Sequence, residues 1–344
     1  MLDTVKFYTD DFVIRDDAEI ELMPSVIDYK TGETDNKNLF QRSSGQWVKG
    51  SKAFLNTDRL NLTIKPIGDH QSVFLWVSLS VPKFLTGDNF YSLDDNEAKG
   101  LPSSLETELK NRGIGLDVNE LKIGRLDAFK NVYASEAFED YVPIFNILKA
   151  KRQNRRVYGS TFLWENTQRE ICVYDKLTEV KNRGYETLNY PKNTIRFEYR
   201  LLKSKSVNSA LKFKTVKRLF SNLDSVGAVY NEALENHLFG LDVGEFEHLV
   251  GSQWEKVIRY YSQNEGRNWH SKMRMAFGDY GIAKSLGLDR YREMIENHSY
   301  GRVAGWRAEK AVREGYQKIE LIAGEKGYKS HVDLYSELKN KVLE

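Results

Sequence analysis

The sequence predicts an α+β fold, with a central antiparallel sheet flanked by helices, followed by a helical C-terminal region. Three observations lead there. The first 200 residues hold a series of β-branched and aromatic runs separated by polar turns. Beyond about residue 205 these runs stop, and apolar residues recur at helical spacing. The chain has only six prolines, and no low-complexity linker divides it. The expected division is residues 1–205 for the α+β domain and 206–344 for the helical region, long enough together for a substantial core.

Taken in order, RLNLTIKP (59–66), SVFLWVSLSV (72–81), ELKIGRLDAF (120–129), STFLWEN (160–166), REICVYDK (169–176) and NTIRFEYRLL (193–202) read as strands. The polar centre of WENTQRE joins two of them in a hairpin. SSLETELKNRG reads as a helix capped by Ser103 or Ser104. Residues 134–150 have helical spacing with a kink expected at Pro143. In the second part, VNSALKFKTVKRLFSNL, AVYNEALENHLFG, FEHLVGSQWEKVIRYYSQ and GWRAEKAVREGYQKIELIAG each carry an apolar stripe. GDYGIAKSLGLDRYREMIENH (278–298) has the outline of a helix-turn-helix about Gly287, an ordinary helical pair being the alternative. Trp76, Trp164, Trp254, Trp269 and Trp306 are expected in cores, and His70 in a turn.

Composition narrows the class. No run of 18 apolar residues exists, so no membrane partner is expected. The N-terminal MLDTVKFYTDD lacks the features of a secretory leader, and the single Cys172 forms neither an internal disulfide nor a cysteine-based zinc site, so a cytoplasmic protein is expected. Net charge is only +2, but its distribution is uneven. KAKRQNRR (149–156) holds Lys149, Lys151, Arg152, Arg155 and Arg156 without an acid, and 200–218 is likewise basic. Such clusters follow a phosphate backbone, unless they are merely a solvated loop and helix face.

Strand parity gathers the chemistry. Alternate residues face opposite sides, so Arg125 and Asp127 share a face, as do Arg196, Glu198 and Arg200, and Cys172, Tyr174 and Lys176. If these strands are neighbours, Asp127, Glu198, Tyr174 and Lys176 meet on one polar surface, with Glu179 just past a strand end. Clustered carboxylates call for a cation, and oxygen ligands favour Mg²⁺ or Mn²⁺, so Asp127, Glu198 and Glu179 are the expected metal set. Tyr174 is the expected nucleophile toward a DNA phosphate, with Lys176 favouring the phenolate or the phosphoryl charge. Arg125, Arg196, Arg200 and the 149–156 segment are expected to position DNA. Simple ion pairs on an exposed sheet are the plain alternative.

The blocks RLDAF, TFLWENTQREICVYDKLTEV and IRFEYRL resemble, in order and spacing, the replication initiators of filamentous phages and related plasmids, the gene II/X type. SVPKFLTGDN and the opening MLDTVKF are similar to segments of the same family. The resemblance spans roughly residues 1–205 and implies a catalytic tyrosine endonuclease domain there, with 206–344 available for origin binding. It implies rolling-circle replication. One strand of a double-stranded origin is nicked, a 5′-phosphotyrosine and a 3′-OH primer form, and the displaced single strand is later rejoined. The family's Tyr-x-Lys element falls on Tyr174-Asp175-Lys176, and its acidic positions on Asp127, Glu179 and Glu198. Host helicase and DNA polymerase, in the bacterial cytoplasm, are partners by resemblance. No two of the six histidines are adjacent or two apart, so a two-histidine metal site is not expected. The rival expectation is a non-catalytic DNA-binding regulator.

Overall fold

In the computed structural model the described residues are 2–23, 38–50, 52–57, 59–67, 72–187, 189–250, 255–297, 302–324, 329 and 331–344. The chain forms two compact units. The first comprises Met1–Asp140, Leu148–Gly240 and Asn340–Glu344, and the second Tyr141–Ile147 and Leu241–Lys339. The break thus falls later than residue 205, because the first helices of the basic region pack on the sheet.

The strands are β1 (Leu2–Thr9), β2 (Val13–Ile14), β3 (Glu21–Met23), β4 (Asn38–Gln41), β5 (Trp47–Lys49), β6 (Lys52–Asn56) and β7 (Asn61–Ile67). There follow β8 (Ser72–Ser80), β9 (Ile114–Gly115), β10 (Lys122–Tyr133), β11 (Asn154–Tyr158), β12 (Thr161–Glu165), β13 (Arg169–Asp175) and β14 (Thr194–Leu201). Ten of them make one sheet in the order β11-β12-β13-β14-β10-β1-β8-β7-β6-β3, while β2 pairs β9 and β4 pairs β5. Every pairing of the large sheet is antiparallel. The hairpin of 160–176 is present as β12 and β13, with Asn166 Oδ1 accepting from the amides of Gln168 and Arg169.

Alternation gives the sheet an apolar and a polar face. Val5, Phe7, Leu75, Val77, Val173, Ile195 and Phe197 are buried on the first. The helices of this unit are α1 (Val81–Thr86), α2 (Asp95–Ala98), α3 (Leu101–Asn111), the start of α4 (Phe138–Ile147), α5 (Lys176–Asn182), α6 (Ser204–Leu211), α7 (Val216–Phe220) and α8 (Asp224–His237). Helices α6 and α8 pack against β10 and β14, and the buried Tyr230 hydroxyl of α8 donates to the Phe197 carbonyl at 3.3 Å. Pro143 lies inside α4 as expected. The start of α3 differs from expectation. Proline sets φ for a first turn, so the helix begins at Leu101-Pro102 after Gly100, and Ser103 and Ser104 lie within it.

Two irregularities in the β1–β10 ladder shape the polar face. Leu2 lies opposite Ala128 and Val5 opposite Leu126, so Asp3 and Thr4 together oppose Asp127. Lys6 lies opposite Arg125 and Phe7 opposite Ile123, which leaves Gly124 as an extra residue on β10. A bulge of this kind re-aims a side chain against the simple alternation.

The second unit holds α9 (Val243–Val250), α10 (Glu255–Asn264), α11 (Trp269–Leu286), α12 (Leu288–Ile295), α13 (Arg302–Gly324) and most of α14 (His331–Leu343). Its core contains Val257, Tyr261, Met273, Ala276, Ile319 and Ile322. Gly287, at φ 75°, separates α11 from α12, where the helix-turn-helix outline placed its turn. Of the tryptophans expected in cores, Trp164 is buried, with its indole N–H on the Leu148 carbonyl at 3.2 Å. Trp269 is only partly buried, Trp306 is exposed, and Trp76 is half-buried on the polar face. Trp254 and His70 lie outside the described residues.

Candidate active site

The polar face is brought together by register. Tyr174 lies opposite Arg196, Cys172 opposite Glu198, and Asp127 opposite Arg200, so β13, β14 and β10 present Tyr174, Glu198 and Asp127 on one side. Glu198 and Asp127 are nearly fully buried there. The Tyr174 hydroxyl donates to Glu198 Oε1 at 2.5 Å. Arg200 donates to Glu198 Oε2 from Nη2 at 2.6 Å and from Nε at 2.9 Å, and its Nη1 reaches Glu170 at 3.1 Å. Arg125 clasps Asp127 in the same two-pronged way, at 2.8 and 2.9 Å.

Electrostatics follow from this packing. Burial raises the Glu198 carboxyl, but Arg200, Arg196 and the Tyr174 hydroxyl together outweigh it and hold the group below its ordinary range. Burial and the adjoining Glu198 charge push the Tyr174 phenol well above its usual value, with Arg196 the opposing influence. Tyr174 is therefore a protonated phenol whose proton already points at a carboxylate. Burial raises Asp127 more than Arg125 lowers it. Cys172, buried beside them, is pushed up to about 12 and is no thiolate.

Lys176 is not on the strand. Asp175 ends β13 and caps α5, its Oδ1 accepting from the amides of Leu177 at 2.9 Å and Thr178 at 3.2 Å, so Lys176 is the first helical residue. Its ammonium is buried and donates to Glu179 at 2.8 Å and to Asn89 at 3.3 Å. Glu179 takes Lys176 on one oxygen and Arg183 on the other. Among the described residues no hydrogen bond or ion pair joins Glu179 to Asp127 or Glu198. Arg196 is the cation that opposes burial and Glu198 at Tyr174.

Arg196 is also not free to hold DNA. It is fully buried, donates to Asn131 at 2.8 Å and to the carbonyls of Asn89 and Phe90 at 2.5 and 2.8 Å, and stacks 4.0 Å from the centre of the Phe129 ring. It ties residues 89–90 to β14. Arg125 and Arg200 are partly exposed but committed to carboxylates. Lys149, Lys151, Arg152, Arg155 and Arg156 are all exposed, the last two on the edge strand β11, and Arg156 pairs with Glu165 at 2.7 Å.

Sequence reading missed Asp3 and Asn89. Asp3 is buried beside this cluster, accepts from Ser80 Oγ at 3.3 Å, and has its carboxyl pushed up to about 6 by burial, Glu198 and Asp127. By plain alternation Asp3 shares the side of Val5 and Phe7; only the bulge brings it round. Asn89 stood within SVPKFLTGDN, but spacing gave no sign that its carbonyl and amide would meet Arg196 and Lys176.

A divalent ion is a separate question from the tyrosine. Both oxygens of Asp127 are taken by Arg125, those of Glu198 by Tyr174 and Arg200, and those of Glu179 by Lys176 and Arg183. Among the described residues no three His, Cys, Asp or Glu side chains are grouped to hold a metal. Each of these carboxylates is thus already paired with a cationic side chain, which a bound Mg²⁺ or Mn²⁺ would share or displace.

The Phage CRI family model, which describes the N-terminal part of a replication-associated protein, matches residues 33–219, more than half of the chain. The chain belongs to this family. As a Phage CRI protein it is a rolling-circle replication initiator of the phage kind and acts on DNA. The matched span contains Asp127, Tyr174, Lys176, Glu179 and Glu198, while Asp3 lies before it. No curated protein matches the chain. Among the described residues no helix is long and apolar enough to cross a membrane.

Proposed function

We propose that this initiator nicks one strand of a double-stranded origin by tyrosine transesterification and later rejoins the displaced single strand. The 2.5 Å bond from the Tyr174 hydroxyl to Glu198 carries this reading, because it supplies nucleophile and base as one unit. Tyr174 Oη attacks the phosphorus, and its proton passes to Glu198 Oε1. The bond from phosphorus to the 3′ oxygen breaks, leaving a 5′-phosphotyrosine and a 3′ oxygen that takes up a proton. Asp3, with a carboxyl pushed up to about 6, is the member of the cluster able to hold one near that pH. Rejoining is the reverse: a 3′ hydroxyl attacks the phosphotyrosine, and Glu198 returns the proton to the phenol. One phosphodiester is exchanged for another, so no ATP is consumed. Arg200 and Arg196 keep Glu198 ionised before attack. Host helicase and DNA polymerase then extend from the primer in the bacterial cytoplasm.

Supercoiled DNA carrying the cognate origin, incubated with protein and Mg²⁺ or Mn²⁺, tests this. Wild type is expected to give nicked or relaxed product and a covalent protein–DNA adduct on Tyr174. Tyr174→Phe is expected to give neither while still binding the origin. Nicking by Tyr174→Phe, or an adduct mapped to another tyrosine, overturns the assignment. A mobility shift without any nick points instead to a non-catalytic regulator.

A further inference from the structure

The polar face does not end at Arg125. Across β1, β8 and β7 it changes from carboxylates and arginines to aromatic rings and lysines. Tyr8 lies opposite Trp76, Trp76 opposite Thr63, and Phe74 opposite Lys65, so Tyr8, Trp76, Phe74 and Lys65 share one side. The Tyr8 and Trp76 rings stack with centroids 4.9 Å apart, and Phe74 lies 5.9 Å from Tyr8. The ammonium groups of Lys6 and Lys65 stand 5.0 and 5.2 Å from the Trp76 ring centre. All five side chains are half-buried. Neither β7 nor β8 contains an acidic residue.

Positive charge is crowded here. Lys6 lies opposite Arg125, and burial together with Lys65 and Arg125 holds its ammonium below the usual value. Lys6 and Lys65 crowd one another over half-buried aromatic rings, a repulsion that a polyanion relieves. The backbone beneath is built for the arrangement. A Cβ on Gly124, the bulge residue, would meet Trp76 at 2.9 Å and Tyr8 at 3.3 Å, so both rings come this close to β10 only because that position has no side chain.

We infer that Tyr8, Trp76 and Phe74, flanked by Lys6 and Lys65, form a base-stacking platform for single-stranded DNA. Stacking on aromatic rings beside a cationic track is how proteins hold single strands without reading their sequence. The platform shares the polar face of the sheet with the Tyr174 site but is set apart from it: β8 is four strands from β13, and the two lie toward opposite ends of β10, Trp76 level with Lys122 through Tyr8 and Tyr174 level with Asn131 through Arg196. Identifying the bound strand as the one cut at Tyr174 rests on the nicking reading; the stacking itself does not.

The test uses the full chain and a labelled oligonucleotide of about 16 thymidines, the upper end of common site sizes. Trp76→Ala is expected to weaken binding about ten-fold or more, and Trp76→Phe to keep most of it. Lys65→Ala is expected to weaken binding and to flatten its salt dependence by about 0.7 in logarithmic slope. A Trp76→Ala protein with unchanged circular dichroism and melting that binds like wild type overturns the proposal. So does an equal loss on duplex of the same length, because bases in a duplex are not free to stack. Should Trp76→Ala fail to fold, photo-crosslinking of wild type to iododeoxyuridine decides: adducts on Tyr8, Phe74 or Trp76 support the platform, and adducts elsewhere reject it. Tyr174→Phe separates the two readings, since it should bind the oligonucleotide normally. Loss of binding in Trp76→Ala with no nicking by wild type leaves the platform standing and the nicking reading failed. Normal binding in a nicking-competent Trp76→Ala rejects the platform and leaves the nicking reading intact.

Discussion

Glu198 and Asp3 are buried carboxyls in one cluster, pushed in opposite directions by their neighbours. Glu198 has two arginines and ionises readily, while Asp3 faces Glu198 and Asp127 and holds its proton to about 6. Replacing Glu198 with Gln keeps the shape and removes the proton acceptor, so nicking should fall by about 10²–10⁴-fold in single-turnover assays with origin binding retained. Asp3 has a consequence for stability. Its folded value lies above the ordinary 3.8, so ionising it costs stability as pH rises from about 4 to 6. Asp3→Asn should therefore raise the melting temperature by a few degrees at pH 7 and bring no gain near pH 4, a window that thermal melts across pH would reveal. Tyr174, Asp127 and Glu198 were legible in the sequence because β13, β10 and β14 alternate regularly around them. Asp3 was not, since a bulge leaves no mark in the hydrophobic pattern. Lys176 was misplaced by one element because Asp175, read as part of the strand 169–176, is a helix cap.

At the scale of elements, most strands could be read from β-branched and aromatic runs, and the helices from their stripes. What escaped was the fine geometry where elements begin or pair. Asp175 carries the turn from β13 into α5, accepting two amides and the Thr178 hydroxyl at 2.6 Å. Asp175→Ala should cost about 1 kcal/mol in denaturant unfolding and loosen Lys176 from Asn89. Gly124→Ala forces a methyl group against Trp76 and should cost about 1–3 kcal/mol, measurable by the same unfolding curves. The tryptophans were misjudged for a related reason. An indole is attracted to lysine as well as to apolar neighbours, and Trp76 sits on the polar face against both Lys6 and Lys65.

For the whole molecule, net charge near zero conceals where DNA would be held. The exposed cations of 149–156 lie at the β11 edge, and the lysines around Trp76 lie beyond the catalytic cluster on the same sheet. Removing Lys149, Lys151 and Arg155 together should weaken origin binding and make it less salt-sensitive, by about 0.9 in logarithmic slope for each phosphate no longer neutralised. A mutant with an unchanged slope would place duplex DNA elsewhere. The helical unit carries its own core of Val257, Tyr261, Met273 and Ile319, so its contribution to DNA binding can be probed by surface substitutions that leave this packing intact.

The paired irregularities of β1 and β10 bear on how such a protein is damaged by mutation. Dropping a single codon at Asp3 or Thr4 would erase the first of them while leaving Tyr174 on β13 and Glu198 on β14 in place. Loss of Asp3 would remove the acid beside Glu198, whereas loss of Thr4 would leave Asp3 alone opposite Asp127, the rest of the ladder keeping its register. The number of residues between Leu2 and Val5 thus decides whether one side chain or two oppose Asp127.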